Sequence, residues 1–250
     1  MLSASNLNQR AMAMFIRELE SIAPLSDVER QAIERLPMRI HTLAARQDIV
    51  RDGDKSAHCC LILDGWACRY KLLGDGRRQI FTFHIAGDIP DLQNLHVPTM
   101  DHSLATMTQA TVAFIDHKVL HELTLRHPNL GTLFWRETLI DAAIFRQWMV
   151  GLGRRSAFEH MAHLFCELYL KLQAVGLAEN YRCPLPIAQH DLADALGLTP
   201  VHVNRVLRDM REQTLITLRS HTLVIEAWDE LVRIAQFDPT YLNLERRATA

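Results

Sequence analysis

Apolar and polar residues change their spacing three times along this chain. In residues 6–36, Leu7, Ala11, Met14, Phe15 and Leu19 recur near helical spacing, and Ser26-Asp27-Val28-Glu29 has the form of a capping box opening a second helix. From Met38 the segments become short and rich in β-branched and apolar residues. They are punctuated by Asp52-Gly53-Asp54, Asp64-Gly65, Gly74-Asp75-Gly76 and Gly87-Asp88. Turn signals at this frequency predict an antiparallel barrel or sandwich running to about Ile115. A helical period then returns. Lys118 to Arg126 reads as a short helix, and a second helix opens at Pro128 and runs towards Val150.

That second helix is apolar on nearly every side. A surface helix needs one apolar stripe, so the excess predicts a second partner, and a copy of the same helix across a two-fold axis supplies one. Leu133, Ile140, Ile144 and Trp148 are the expected dimerisation residues; the alternative is a helix fully buried in its own chain. Gly151-Leu152-Gly153 reads as a break and a hinge, followed by a helix from Arg155 to about Ala174.

The run from Gln189 to Arg208 reads as two short helices joined at Gly197. Leu192, Ala193 and Leu196 form the inner stripe of the first. Thr199 is placed to N-cap the second, with Pro200 at its first helical position. Val203, Val206, Leu207 and Met210 are expected inside, with Asn204, Arg205, Arg208 and Arg211 outside. This is the build of a helix-turn-helix DNA reader; the plainer alternative is an ordinary helical hairpin. Leu215–Leu218 and Thr222–Ile225 flank Arg219-Ser220-His221 as a short wing, and residues 227–237 can form a last small helix.

Composition narrows the choices. With 250 residues, 48% of them apolar, the chain has material for two cores. Its net charge of −2 means that affinity for DNA must come from a local patch. Between Pro200 and His221, Arg205, Arg208, Arg211 and Arg219 outnumber Asp209 and Glu212, so the reader surface is locally positive. No apolar run is long enough to span a membrane, and no leader pattern opens the chain, so the expected location is cytoplasmic. Five cysteines without scaffold spacing point to thiols rather than structural disulfides.

The order of these parts resembles the Crp/Fnr family of bacterial transcription regulators over roughly residues 15–235. The resemblance rests on Asp191-Leu192-Ala193-Asp194-Ala195-Leu196-Gly197-Leu198-Thr199, on Val203-Asn204-Arg205-Val206-Leu207, and on Leu152-Gly153-Arg154-Arg155-Ser156-Ala157. It implies an α+β chain in three parts. Residues 1–127 would form a β-barrel effector-like domain (a jelly roll of the cyclic-nucleotide-binding type) with N-terminal helices. Residues 128–153 would form the dimerisation helix and hinge, and 154–250 a winged helix-turn-helix domain. It implies a homodimer that reads an inverted repeat of double-stranded DNA with the 200–213 helix, with RNA polymerase as a further partner. The DNA-facing residues would be Thr199, Pro200, Val201, His202, Asn204, Arg205 and Arg208. Arg205 keeps the family arginine, suited to a bidentate contact with guanine. Val201 stands where the family has a glutamate and can touch a thymine methyl, while Asn204 favours adenine.

The sensor half departs from the cyclic-nucleotide members. Their phosphate turn and later arginine match Gly87-Asp88-Ile89-Pro90-Asp91-Leu92 and His102-Ser103-Leu104-Ala105 here. Pro90 removes a backbone donor, Asp91 is a methylene shorter than the glutamate, and His102 replaces a permanently charged arginine. Asp91, His102 and Ser103 are therefore the residues of a degenerate effector pocket, unsuited to a cyclic nucleotide but open to another small molecule. No cysteine precedes Cys59, which argues against an N-terminal iron–sulfur cluster. If the Asp64-Gly65 turn closes a hairpin, Cys59 and Cys68 are diagonal neighbours, and they serve either as small core residues or as a redox- or metal-responsive thiol pair. No metal site and no cofactor is expected. The chain lacks a serine nucleophile elbow, a phosphate loop and cupin-like metal ligands, so an enzyme is not expected. A dimeric protein-interaction module that no longer reads DNA is the remaining alternative.

Overall fold

The computed structural model of the protein describes residues 4–244. The chain divides into two compact units. One is built from residues up to Lys71, Phe83–Asp141 and the residues from Asn243 on; the other from Leu72–Thr82 and Ala142–Leu242.

In the first unit, helix α1 (Ala4–Ile22) leads to α2 (Asp27–Glu34). Ser26 caps α2 as its sequence predicts. Its hydroxyl accepts from the Glu29 amide at 3.3 Å, and the Glu29 carboxylate accepts from the Ser26 amide at 2.9 Å. The Ser26 hydroxyl also donates to the Glu29 carboxylate at 2.6 Å, and this bond, with that from the Ser26 amide, holds the carboxyl below its ordinary pKa. Seven strands follow: β1 (Arg39–Leu43), β2 (Asp48–Val50), β3 (His58–Asp64), β4 (Ala67–Leu72), β5 (Arg78–His84), β6 (Ser103–Thr106) and β7 (Ala110–Asp116). They form two antiparallel sheets, ordered β1-β7-β3 and β2-β6-β4-β5.

Strand β3 shows how its sequence feeds two cores. Cys60 and Ile62 pack with Ala67, Leu104 and Val112 inside the jelly roll. The alternate residues Cys59, Leu61 and Leu63 pack with α1, α2 and the helices that follow β7. Helix α3 (His117–Arg126) and α4 (Pro128–Arg154) complete the frame, and Leu120, Leu130, Leu133 and Phe134 enter this second core.

Two sequence expectations are corrected here. The Asp64-Gly65 turn does not pair β3 with β4. Instead β3 pairs with β7 (Cys59 opposite Ile115, Leu61 opposite Ala113), and β4 pairs with β6 (Cys68 opposite Ala105). Gly65, at φ +89°, lies so close to the Gln109–Ala110 backbone that an added Cβ would sit 2.6 Å from the Gln109 carbonyl oxygen. The turn thus passes the chain from one sheet to the other. Nor do Gly151 and Gly153 break the long helix, since α4 is continuous through them to Arg154. A Cβ on Gly151 would lie 2.4 Å from the His160 ring, so this glycine serves close helix packing. The chain turns at Ser156, whose hydroxyl accepts from the Glu159 amide at 3.3 Å while the Glu159 carboxylate accepts from the Ser156 amide at 2.7 Å.

The second unit contains α5 (Ala157–Ala174), β8 (Arg182–Pro184), α6 (Gln189–Leu196), α7 (Pro200–Glu212), β9 (Ile216–Arg219), β10 (Thr222–Ile225) and α8 (Trp228–Ala235). Its sheet is ordered β8-β10-β9. Strand β8, only three residues long and carrying Pro184, gives no periodic signal in the sequence.

Helix α5 is the centre of this unit. Burial of His160 and His163 depresses their pKa values to about 4 and about 3. In the unfolded chain both titrate near 6.5. Below that pH the unfolded state takes up protons that the folded state refuses, so stability falls from about pH 6.5 towards about 4. Asp91, in the first unit, works in the opposite sense, because its raised pKa favours the folded state as pH falls. The thermal midpoint is expected to fall less between pH 7.5 and 5.0 in a His163→Phe variant than in the parent. Equal falls would remove His163 from this account.

Candidate nucleic-acid interface

The turn between α6 and α7 is built as the sequence predicts. Gly197 C-caps α6 in the left-handed region, at φ +66°. The Leu198 amide then donates to the Ala193 carbonyl at 3.0 Å. Thr199 N-caps α7, its hydroxyl accepting from the His202 amide at 3.2 Å, with Pro200 in the first turn. Leu192, Ala193 and Leu196 of α6 are buried, as are Val203, Val206, Leu207 and Met210 of α7.

The opposite face of α7 is open. Val201 is 81% exposed; Asn204, Arg205, Arg208 and Arg211 are exposed, and His202 is half-buried. The arginines are not equivalent. Arg208 lies 3.6 Å from both Asp209 and Glu212, and so is partly neutralised on its own helix. Arg205 has no acidic partner among the described residues, which leaves its guanidinium available to an outside acceptor. The wing tip is a two-residue turn, with Ser220 and His221 both at positive φ and Arg219 paired with Thr222.

Three supporting residues escape a reading of the sequence. Gln189, at the start of α6, accepts from the Asn204 side-chain amide at 3.3 Å and so orients it. Arg78 reaches Asp191, and also Asp194 at 2.8 Å, while the Gln79 side chain donates to the Ala195 carbonyl at 3.2 Å. These contacts brace α6 through residues more than a hundred positions away, a separation that local patterning cannot register.

The predicted effector residues are each tied into the fold by hydrogen bonds. Asp91 is buried, and its carboxylate accepts from the Cys60 amide at 2.7 Å; burial raises its pKa to about 7. His102 is held by Asp101 at 2.6 Å, and burial lowers its pKa. The Ser103 hydroxyl accepts from the Asp52 amide at 3.1 Å. The guanidinium of Arg69 is committed to the Pro90 carbonyl and, at 2.6 Å, to Asp141. Asp91 lines a small cavity of about 230 Å³, together with Lys55, His58 and Phe114.

The structure also places each thiol. Cys59 and Cys68 belong to different sheets, so they are not the diagonal hairpin neighbours that the sequence predicts. All five cysteines, Cys59, Cys60, Cys68, Cys166 and Cys183, are free and buried. Burial pushes the thiols of Cys59 and Cys60 far up, and those of Cys166 and Cys183 to about 12. Reactivity follows the thiolate, so these four thiols are not poised to react, and Cys68 is 1% exposed. A disulfide-exchange dye at pH 7.5 is expected to label no thiol in the folded protein within minutes and all five after denaturation. Rapid labelling of one or two native thiols would reinstate a sensing role. No group of three or more metal-ligating side chains gathers among the described residues, and no described helix is long and apolar enough to cross a membrane.

Comparison with known proteins agrees with this architecture. Residues 40–127 match the cyclic nucleotide-binding domain family, and residues 159–234 match the Crp-like helix-turn-helix domain family. The chain is 30% identical to the nitrogen fixation regulation protein FixK of Rhizobium meliloti (strain 1021), over 73% of this chain and 80% of that protein. It is 26% identical to the transcriptional activator protein FnrL of Cereibacter sphaeroides, over 72% of this chain and 73% of that one. Among solved structures, FixK2 from Bradyrhizobium japonicum superposes with a TM-score of 0.73 at 24% identity, covering 80% of this chain and 98% of that one. On its two domain matches, its relatives and its fold, the chain belongs to the Crp/Fnr family of transcription regulators.

Proposed function

We propose that this regulator is a cytoplasmic homodimer that reads an inverted repeat of double-stranded DNA with α7, does so without a cyclic nucleotide, and communicates with RNA polymerase from the bound site. The observation that carries the reading is the pairing of an unpartnered Arg205 on the open face of α7 with an apolar seam left uncovered on α4. The residues that the sequence nominates for dimerisation do not form that seam. Leu133, Ile144 and Trp148 are buried within their own chain, and Ile140 is partly covered. Trp135, Leu139, Arg146, Met149 and Gly153 are exposed, with Trp135 68% and Met149 72%, and the half-buried Ala142 lies in line with them; Val150 and Leu152 beside this row are also exposed. Steps of four, three, four, three and four residues are the signature of a helix that packs along a second helix. Helix α4 is therefore apolar all round because one side faces its own core and the other a partner.

The cyclic-nucleotide part rests on the degenerate turn. The Asp91 carboxylate is turned onto the Cys60 amide, and His102, whose pKa burial lowers, stands where the family resemblance expects an arginine. Selection of bound sequences from random duplex DNA by the purified, ligand-free protein tests the reading. It is expected to enrich an inverted repeat with half-sites about one helical turn apart. Cyclic AMP or cyclic GMP at millimolar concentration is expected neither to sharpen the enrichment nor to raise the thermal midpoint, as a ligand far above its Kd would. Absence of enrichment without a nucleotide and its appearance with one would overturn the nucleotide-independent reading.

A further inference from the structure

After α8 the chain does not simply end its fold. Gln236 takes a left-handed conformation (φ +46°), Phe237 is buried, and Asp238 accepts from the Thr240 amide at 2.9 Å and from its hydroxyl at 2.5 Å. This turns Pro239–Leu242 back along α5 as a single 3-10 turn with Leu242 buried. Tyr241 then stacks on His163, ring centroids 5.8 Å apart and planes 14° apart, while Phe237 meets the same histidine edge-on at 5.0 Å.

The hydroxyl of Tyr241 donates to Glu167 Oε2 at 2.5 Å. The other carboxylate oxygen, Oε1, accepts from the Trp148 indole N–H at 2.9 Å. Glu167 is 2% exposed. Burial pushes the Glu167 carboxyl up, and the two donors oppose that shift by satisfying both of its oxygens. One buried carboxylate thus joins three pieces of chain: the last turns of α4 through Trp148, the middle of α5 through Glu167, and the tail through Tyr241. Breaking one bond would leave a buried carboxylate half-satisfied, so the connection has little slack.

We infer that Tyr241 is a positioning residue for DNA recognition: through Glu167 and Trp148, the tail fixes the direction in which α4 enters the reader domain, and with it the spacing of two reader helices in a dimer. The inference rests on the dimeric reading proposed above, because spacing matters only when two readers act together. Helix α7 packs on α5, and the seam that sets the two-fold axis lies on α4, so the α4–α5 angle determines where each reader helix falls. A reader bound to one half-site is indifferent to that angle.

The experiment compares parent, Tyr241→Phe and Glu167→Gln on two duplexes: the inverted repeat recovered by selection, and the same duplex with one half-site scrambled. Tyr241→Phe keeps the ring that stacks on His163 and removes only the donor; Glu167→Gln keeps the shape and places an amide opposite one of the two donors. Both are expected to weaken binding to the full repeat by about tenfold, the worth of one hydrogen bond to a charged group, and to leave single half-site binding unchanged. Inserting or deleting one base pair between half-sites is expected to cost the variants less than the parent, because a looser angle tolerates altered spacing. Equal loss on both duplexes, or no loss on either, overturns the inference. A parent that shows no preference for the repeat over one half-site overturns the dimeric reading instead.

Discussion

Arg205→Ala is expected to abolish sequence-specific DNA binding while leaving the fold intact. The side chain is exposed on α7, it makes no ion pair among the described residues, and its removal opens no cavity. The stability change should therefore stay within about 0.5 kcal/mol. A bidentate arginine–guanine contact contributes about 1–3 kcal/mol. In the dimer proposed above two reader helices would make it twice, so the loss on an inverted repeat would be about 2–6 kcal/mol, or about thirty-fold to twenty-thousand-fold in Kd. Arg208→Ala provides the contrast. That guanidinium already faces Asp209 and Glu212 at 3.6 Å, so its loss should weaken all sequences alike and reduce the salt dependence by about one phosphate contact. A gel-shift titration of both variants against the selected repeat and a scrambled duplex separates the two roles. Arg205→Ala protein that still discriminates the repeat at parental affinity would remove this residue from base recognition.

The reader was legible in the sequence because its determinants are local. Thr199, Pro200, Gly197 and the spacing of Val203, Val206, Leu207 and Met210 all act within a few residues, and each takes the place that its chemistry dictates. The strand region was legible as a class for the same reason, since turn residues and β-branched runs are local signals. The pairings were not. Asp64-Gly65 has the composition of a tight hairpin, yet the close approach of Gly65 to Ala110 makes it a corner between sheets, a fact that depends on residues some forty-five positions downstream. Gly151 and Gly153 show the same limit. Two glycines in a helix read as a hinge, whereas Gly151 is small because His160 packs against it. The braces on α6 from Arg78 and Gln79 and the Trp148–Glu167–Tyr241 chain are likewise long-range, so no pattern within a window of residues reveals them.

The same distinction between inner and outer faces decides which change should separate the subunits of the proposed dimer. Leu139→Glu is expected to convert the protein to a monomer with an intact fold. Leu139 is 54% exposed, and glutamate is a good helix former, so the isolated chain should lose little. On the seam, however, a residue near the two-fold axis meets its own copy, and two carboxylates replace two leucines there. Light scattering on the eluting protein should show half the parental mass, with circular dichroism unchanged. Binding to the inverted repeat should then fall by about a hundred-fold to ten-thousand-fold, because the second half-site is no longer delivered at high effective concentration. Leu133→Ala makes the opposite test. Leu133 is 2% exposed in the core of its own unit, so its truncation should cost about 2–5 kcal/mol of stability yet leave the association surface in place. If Leu133→Ala dissociates the protein and Leu139→Glu does not, the partner helix lies against the inner stripe, and the seam from Trp135 to Gly153 is merely solvated.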